Sequence, residues 1–482
     1  MPSSSASPRS PGLLIGVVGR PADGKTCLLL QLAAHQLSLG QEVEGFASIA
    51  GGRRARHVGA SEYHLQFLAR GEEMTWAVRD ETLSPPYRLE WETFEFLLEW
   101  AGRLRGGLDV LILDEFGQLE TRGDGLMPLW PAIKQARPHI VAVAVHHGCV
   151  EAIESKLGRE FDVLIDASSP DALANLERAC ADYGEWTRIG LFGGTAGALE
   201  MTIGSAIHDA HVPLGGLTMC SLQSALMTFA GFGLTQPARV IWVPFIAAGL
   251  KAFSPTANRV RPMLAITIQG GLYGSAVQVF GWNIRGVALG GALIGIWSGL
   301  QGMALQYLLI GGELSRSYDF LSDWLERTTS LSAPALPIVA ALSACIHAIV
   351  ACGASVTAWL LRAPPQALQE LIARERVRAP NILPAANRGW SGVWRGCLRW
   401  QFWVPLVAVV AIMIASGRPW ESIACLVVRT TAVILVLTAL LSLLRPAWFS
   451  NRLRRLGWWG PALAMERALD RGAGVAEPVT SE

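Results

Sequence analysis

The sequence predicts two architectures in one chain: an α/β domain built on a doubly wound parallel sheet, then an all-α polytopic membrane bundle. Three observations predict them. An apolar run, Leu13 to Val18, leads directly into a Gly-rich loop and a helical run from Cys27 to Leu39. A second apolar run ends in the acid pair Asp114-Glu115. After Ile189 the charges thin out and long apolar stretches begin, whereas residues 40–188 carry many Arg, Asp and Glu. Over 482 residues only 16% are charged. Soluble domains carry about 25%, so the deficit belongs to the second half.

The first dozen residues are Ser- and Pro-rich and read as a disordered leader without the apolar core of a signal peptide. The α/β domain follows over 13–180. The continuous run Leu13 to Val18 reads as a buried parallel strand. Further strands are expected at 43–49, 140–145 and 163–165, with helices between them. The 8 Cys include no CxxC pair, which argues against a zinc site or a disulfide framework. A formal net charge of +1 offers no basic field for nucleic acid.

The loop after the first strand, Gly19-Arg20-Pro21-Ala22-Asp23-Gly24-Lys25-Thr26, matches G-x-x-x-x-G-K-[ST] in full. Its strand–loop–helix setting is the context that identifies a P-loop. Glycines let backbone N–H groups curl around phosphate oxygens, and the helix N-terminus adds its positive end. Lys25 then reaches the β- and γ-phosphates of ATP or another NTP, and Thr26 holds Mg²⁺. Asp114, at the end of an apolar strand, stands on the metal side of such a site. Glu115 is a candidate to orient or deprotonate the attacking water.

These residues resemble a known group. Gly19–Thr26, the segment Val43-Glu-Gly-Phe46 and the string Leu113-Asp-Glu-Phe-Gly-Gln-Leu-Glu120 are similar to the THEP1-type nucleoside-triphosphatases, over roughly residues 13–175. The resemblance implies Mg²⁺-dependent hydrolysis of ATP or other NTPs. It carries Lys25 and Thr26 as phosphate and metal contacts, and Asp114 and Glu115 as metal-side and water-side acids. The pair His146-His147 departs from the pattern, since an Arg is expected at the end of that strand. His146 is then a candidate γ-phosphate sensor, or the two are a surface pair. No LSGGQ-like signature occurs, so a standard ABC dimer is not expected.

Beyond the domain, eight windows approach the 20 or so apolar residues a span needs: 189–210, 214–232, 240–253, 263–280, 287–309, 333–361, 402–416 and 423–444. They divide into a six-span bundle over 189–361, a basic connection over 362–400, two further spans over 401–445 and a basic tail over 446–482. An even count returns the C-terminus to the side of the α/β domain. Connection and tail are Arg-rich, so the positive-inside rule makes that side cytoplasmic and the chain a multi-pass protein of the cell (inner) membrane, in contact with its lipid. The segment Lys251 to Arg261 disagrees, being basic yet expected outside. Either the count is off by one or these cations serve a ligand.

Ionisable and amide side chains at membrane depth are functional candidates: Glu200, Gln223, Gln269 and, beside them, Lys251 are candidate contacts for a small-molecule substrate. The alternative is that such groups hold the bundle together by interhelical hydrogen bonds. His208, Gln278, Asn283, Gln301, Gln306 and His347 belong to the same set. Small residues at 193–198 and from Gly286 to Gly295 permit close helix contact, within the bundle or with a partner.

The six spans are similar to the substrate-binding (S) component of energy-coupling-factor vitamin transporters. The likeness rests on their length, on the small-residue face of the first span, and on the strings Leu250-Lys-Ala-Phe-Ser-Pro255 and Arg261-Pro-Met-Leu-Ala-Ile266. The last two spans and tail are more loosely similar to part of the coupling (T) component. Trp448, Phe449, Leu453, Leu456, Trp458 and Trp459 interleave with Arg there, as in a helix docked on an ATPase or lying in the membrane interface. The resemblance implies an NTPase tied to uptake or handling of a vitamin or cofactor precursor, with other transporter subunits as candidate partners. The competing expectation is a membrane-anchored NTPase of nucleotide metabolism or signalling, its spans a scaffold or docking module.

Overall fold

In a computed structural model of the protein, residues 12–51, 62–80, 82–83, 87–204, 215–252, 260–310, 335–370, 417–443 and 446–469 are described, with isolated positions between them. The expected leader, most of the basic connection and much of the 402–416 window lie outside these residues. The chain divides into two compact units, Met1–Gly184 and Glu185–Glu482.

The first unit is an eight-stranded sheet in the order β5-β4-β3-β2-β6-β7-β1-β8. Five strands run parallel: β1 (Leu13–Gly19), β2 (Val43–Gly51), β6 (Val110–Phe116), β7 (Ile140–His146) and β8 (Val163–Asp166). The other three, β3 (Glu62–Phe67), β4 (Glu73–Arg79) and β5 (Tyr87–Leu89), extend it antiparallel. The sheet is therefore mixed, which corrects the expectation of a purely parallel one. Strand β3 alternates polar and apolar residues, as a sheet with one wet face does, whereas β4 carries the apolar run Trp76-Ala77-Val78.

The parallel core is covered on both faces. Leu14, Leu111, Leu113, Val141 and Val143 pack with Leu97 of α2 (Trp91–Gly102), Ile133 of α4 (Trp130–Ala136) and Ile153 of α5 (Val150–Leu157). The alternate residues Leu13, Ile15, Ile112 and Ala142 are equally buried. On their side α1 (Lys25–Ser38) lies against β1, β2, β6 and β7. Between β6 and α4, α3 (Gln118–Arg122) follows the acid pair. Gly12, expected in the leader, already donates to the Pro138 carbonyl at 3.0 Å.

The second unit is helical. A single helix, α6 (Ala172–Leu199), begins in the first unit and continues into the second. It ends in a π-helical turn, Glu200–Gly204. Then come α7 (Gly215–Gly231), α8 (Trp242–Ala252), α9 (Val260–Phe280), α10 (Ile284–Ile310), α11 (Ala335–Leu361), α12 (Trp420–Leu443), α13 (Pro446–Arg455) and α14 (Trp459–Leu469).

Helix ends of the second unit gather on one side. Arg188 of α6 donates to the Phe229 and Ala230 carbonyls near the end of α7. Glu185 pairs with Arg239 just before α8. Phe232, Trp282 and Trp359 cluster where α7 and α11 end and α10 begins. Successive helices from α6 to α11 therefore alternate in direction. Among the described residues two helices, at Pro262–Phe280 and Ala340–Leu361, are long and apolar enough to cross a membrane. Helix α7 has 17 residues and α8 has 11, shorter than the spans expected there.

Small residues decide how these helices approach. Gly193 and Gly197 admit Ile246 and Leu250 of α8, and Gly190 and Gly194 admit Ala464 and Ala468 of α14. Gly295 and Gly299 admit the backbone of α11 at Ala348 and Ala344. Both small-residue faces are thus used within the chain. The tail's Trp458 meets Trp242 edge-on at 6.0 Å, so this part of the tail packs on the second unit itself. The side chains of Trp448 and Phe449 lie outside the described residues.

Candidate functional site

Parallel strands β1, β7 and β6 end at one edge of the sheet, where open α/β sheets bind ligands. The edge gathers the loop 19–26, His146, which pairs in register with Gly19, and the acid pair of β6. Every loop and acid residue expected of the first unit lies at this edge.

The loop is shaped for an anion. Ala22 and Gly24 have positive φ, at 70° and 87°, which turns successive amides into a concavity. Asp23 Oδ2 accepts from the Arg20 amide at 2.6 Å and pins the turn after Pro21. Lys25 Nζ donates to the carbonyls of Gly19 (3.1 Å) and Arg20 (2.8 Å), straddling the loop. Gly24 stands at the N-cap of α1 and no side chain caps that helix. The first-turn amides, which have no partner within a helix, face outward for a ligand. A Cβ at Gly24 would find nothing within 4 Å.

The acids are fixed by bonds that span the sequence. Asp114, 1% exposed, accepts three hydrogen bonds. Thr26 Oγ1 (2.7 Å) and the Ser48 amide (3.0 Å) donate to Oδ2, and the Glu115 amide (3.0 Å) to Oδ1. The loop and the acid strand are thereby joined across 88 positions. Glu115 has φ 72°, and the β6–β7 register shifts between Leu113 and Phe116. That left-handed conformation costs a non-glycine residue about 1–3 kcal/mol and turns Glu115 out of the ladder towards water.

Burial pushes the Asp114 carboxyl above the usual range, against the pull of Thr26, Ser48, Glu115 and Lys25. Glu115 is reachable by solvent yet hemmed in by protein. Desolvation first, then the Asp114 charge, pushes it up to about 7, while Lys25 and Ser48 favour its charged form. A group poised there suits proton transfer near neutral pH.

Mg²⁺ fits this donor set. Among the described residues no group of three or more His, Cys, Asp or Glu forms a metal cage. Thr26 and Asp114 present two oxygens, and Mg²⁺ characteristically takes one or two protein oxygens and completes its shell with phosphate and water.

One residue at the site escaped sequence reasoning and another was named without its role. Ser48 of β2 bonds Asp114 through its amide, and its hydroxyl favours the charged form of Glu115. Glu120 (3% exposed) accepts from the Gly117 amide at 2.7 Å and the Leu126 amide at 2.9 Å, so it braces the turn after Glu115. The D-E-x-G-x-x-E string pointed to Glu120 without its role. Nothing in the sequence pointed to Ser48. His146 accepts from the Gly148 amide at 3.4 Å, and its imidazole is half-buried beside the loop.

In the second unit, Glu200 and Gln223 line one narrow, partly open cleft of about 20 Å³, room for about one water, walled by Leu199, Met219, Met227 and Ile266. The Lys251 ammonium is buried and donates to the Glu200 carbonyl at 3.0 Å. It is thus not the exposed loop cation expected. Gln269 is buried on α9 and does not line the cavity. Asn283 is an N-cap, accepting from the Arg285 and Gly286 amides. His208, Arg259 and the side chain of Gln306 lie outside the described residues.

No family model, characterised protein or solved structure matches the chain.

Proposed function

We propose that the protein is a membrane-embedded nucleoside triphosphatase of the P-loop kind. In this reading its N-terminal domain is cytoplasmic, its helices cross the membrane several times, and hydrolysis is linked to uptake or handling of a small metabolite. The observation that carries the reading is the Thr26–Asp114 hydrogen bond. It puts the last residue of the loop motif and the first acid of the second motif in contact at the edge where parallel strands end.

Each residue then has a task. Loop amides and Lys25 bind the β- and γ-phosphates. Thr26 and Asp114 would hold Mg²⁺, which when bound would neutralise charge on those phosphates. Glu115 orients a water against the γ-phosphorus. The water oxygen forms a bond to that phosphorus, the bond to the bridging oxygen breaks, and the water proton passes to Glu115. His146, half-buried beside the loop, is a candidate to sense the γ-phosphate.

The alternating helices, and the aromatic and Arg side chains gathered where α7 and α11 end and α10 begins, support several crossings with that end at the cytoplasmic interface. Glu200 and Gln223 meet at one cleft between the helices, and these are the side chains that a ligand-handling role would use.

Phosphate release by the full-length protein in mild detergent tests the enzyme. Lys25→Ala loses nucleotide binding and hydrolysis, whereas Glu115→Gln keeps binding and slows hydrolysis by orders of magnitude. A Glu115→Gln variant as fast as wild type removes that residue's role. Mass spectrometry of small molecules retained through purification tests the second half. A retained metabolite, lost in Glu200→Gln, supports handling; nucleotide and lipid alone favour the anchored enzyme.

A further inference from the structure

We infer that Ser48 is a positioning residue for hydrolysis, holding Glu115 and Asp114 in one arrangement through its hydroxyl and its amide. The inference rests on the NTPase reading above.

Ser48 lies near the end of β2, 66 positions from Asp114, and is 6% exposed. Its amide donates to Asp114 Oδ2, the same oxygen that accepts from Thr26. Its hydroxyl oxygen is buried without a hydrogen-bond partner of ordinary geometry among the described residues. Leaving a buried hydroxyl unmet is unfavourable, and a retained exception points to a task. The group it approaches is Glu115, whose charged form the hydroxyl favours.

Glu115 needs such a partner. Its backbone is in the left-handed region and its side chain is turned out of the ladder, so packing alone does not aim the carboxylate. Lys25 attracts the carboxylate and Asp114 repels it, and neither effect fixes its direction. With nucleotide in place, the Ser48 hydroxyl closes onto one carboxylate oxygen and leaves the other for the water. Water then meets an acceptor of fixed direction, and the metal-side acid is held by the same residue.

The test is steady-state hydrolysis and nucleotide affinity for full-length wild type, Ser48→Ala and Ser48→Thr. Ser48→Ala retains the amide, so affinity for Mg-nucleotide stays within about twofold of wild type. Its kcat falls by about tenfold or more, since small losses of alignment are costly in rate. Ser48→Thr restores the hydroxyl and recovers most of kcat. Wild-type kcat in Ser48→Ala overturns the inference while the NTPase reading stands. Equal losses of affinity and kcat in both variants also overturn it, because they mark a packing role. A wild type that binds no nucleotide and releases no phosphate sinks the NTPase reading itself, and the inference with it.

Discussion

Two glycines in left-handed backbone separate what holds the domain together from what binds a ligand. Gly45 of β2 has φ 123°, and a Cβ there would fall on the Ile112 carbonyl of the neighbouring strand. Both partners in that clash are backbone, so Gly45→Ala must part β2 from β6. The parallel register from Val43↔Val110 to Phe46↔Leu113 is then lost, and with it the Ser48–Asp114 bond. Strained backbone costs about 1–2 kcal/mol, and each ladder bond lost adds about 1 kcal/mol. The sum, about 4 kcal/mol or more, is a large part of a domain's usual stability of about 5–15 kcal/mol. Gly24 has φ 87° with open space around it, so Gly24→Ala costs only about 1 kcal/mol of strain. Its methyl instead intrudes on the loop where phosphate approaches. Protease resistance of the first unit and equilibrium nucleotide binding, both on the full-length protein, separate the two. Gly45→Ala should be digested readily. Gly24→Ala should resist digestion like wild type, with nucleotide affinity down by about a hundredfold. A Gly45→Ala protein as resistant as wild type would refute the strand-separation argument, and a Gly24→Ala protein of unchanged affinity would refute the placement of phosphate.

Thiol chemistry gives a second prediction. Cys27 is exposed beside Thr26, so maleimide followed by peptide mapping should label it at neutral pH, and bound nucleotide should protect it. Burial pushes the Cys180 thiol up to about 12, with Glu177 adding to the effect, so Cys180 should stay unlabelled until the protein unfolds. The folded state holds that proton more tightly than the unfolded chain does. Its contribution to stability is therefore intact below pH 9 and lost as pH rises towards 12. A third concerns α14. An ideal Cβ at Gly194 lies 3.3 Å from the Ala468 Cβ, near the range of about 3.5–4.5 Å for a disulfide. The double variant Gly194→Cys/Ala468→Cys should crosslink on oxidation. Adding Gly190→Leu, whose side chain meets the Ala464 backbone, should abolish the crosslink.

How much was legible follows from sequence distance. The loop 19–26 and the pair Asp114-Glu115 are contiguous strings whose chemistry is carried by neighbours, and the structure brings both to one edge. Ser48 acts through partners 66 and 67 positions away, and no local pattern signals that. The strands Glu62–Phe67 and Glu73–Arg79 offer no long apolar run, since polar residues interrupt the first and the second holds only Trp76-Ala77-Val78. The domain boundary was read as a gap near 180–189, but α6 crosses it unbroken, since no proline interrupts 172–199. Lys251 counted as a loop cation because its charge was visible and its burial against Glu200 was not.

The central claim is that the loop and the acid pair form one site for nucleotide with Mg²⁺. Its most direct test is the affinity of the full-length protein for a non-hydrolysable NTP, titrated with Mg²⁺ and with chelator. The account predicts that Mg²⁺ tightens wild-type binding by about tenfold or more, and that Asp114→Ala loses that dependence while retaining weak binding through the loop. Absence of nucleotide binding, or a response to Mg²⁺ that is the same in wild type and Asp114→Ala, would contradict it.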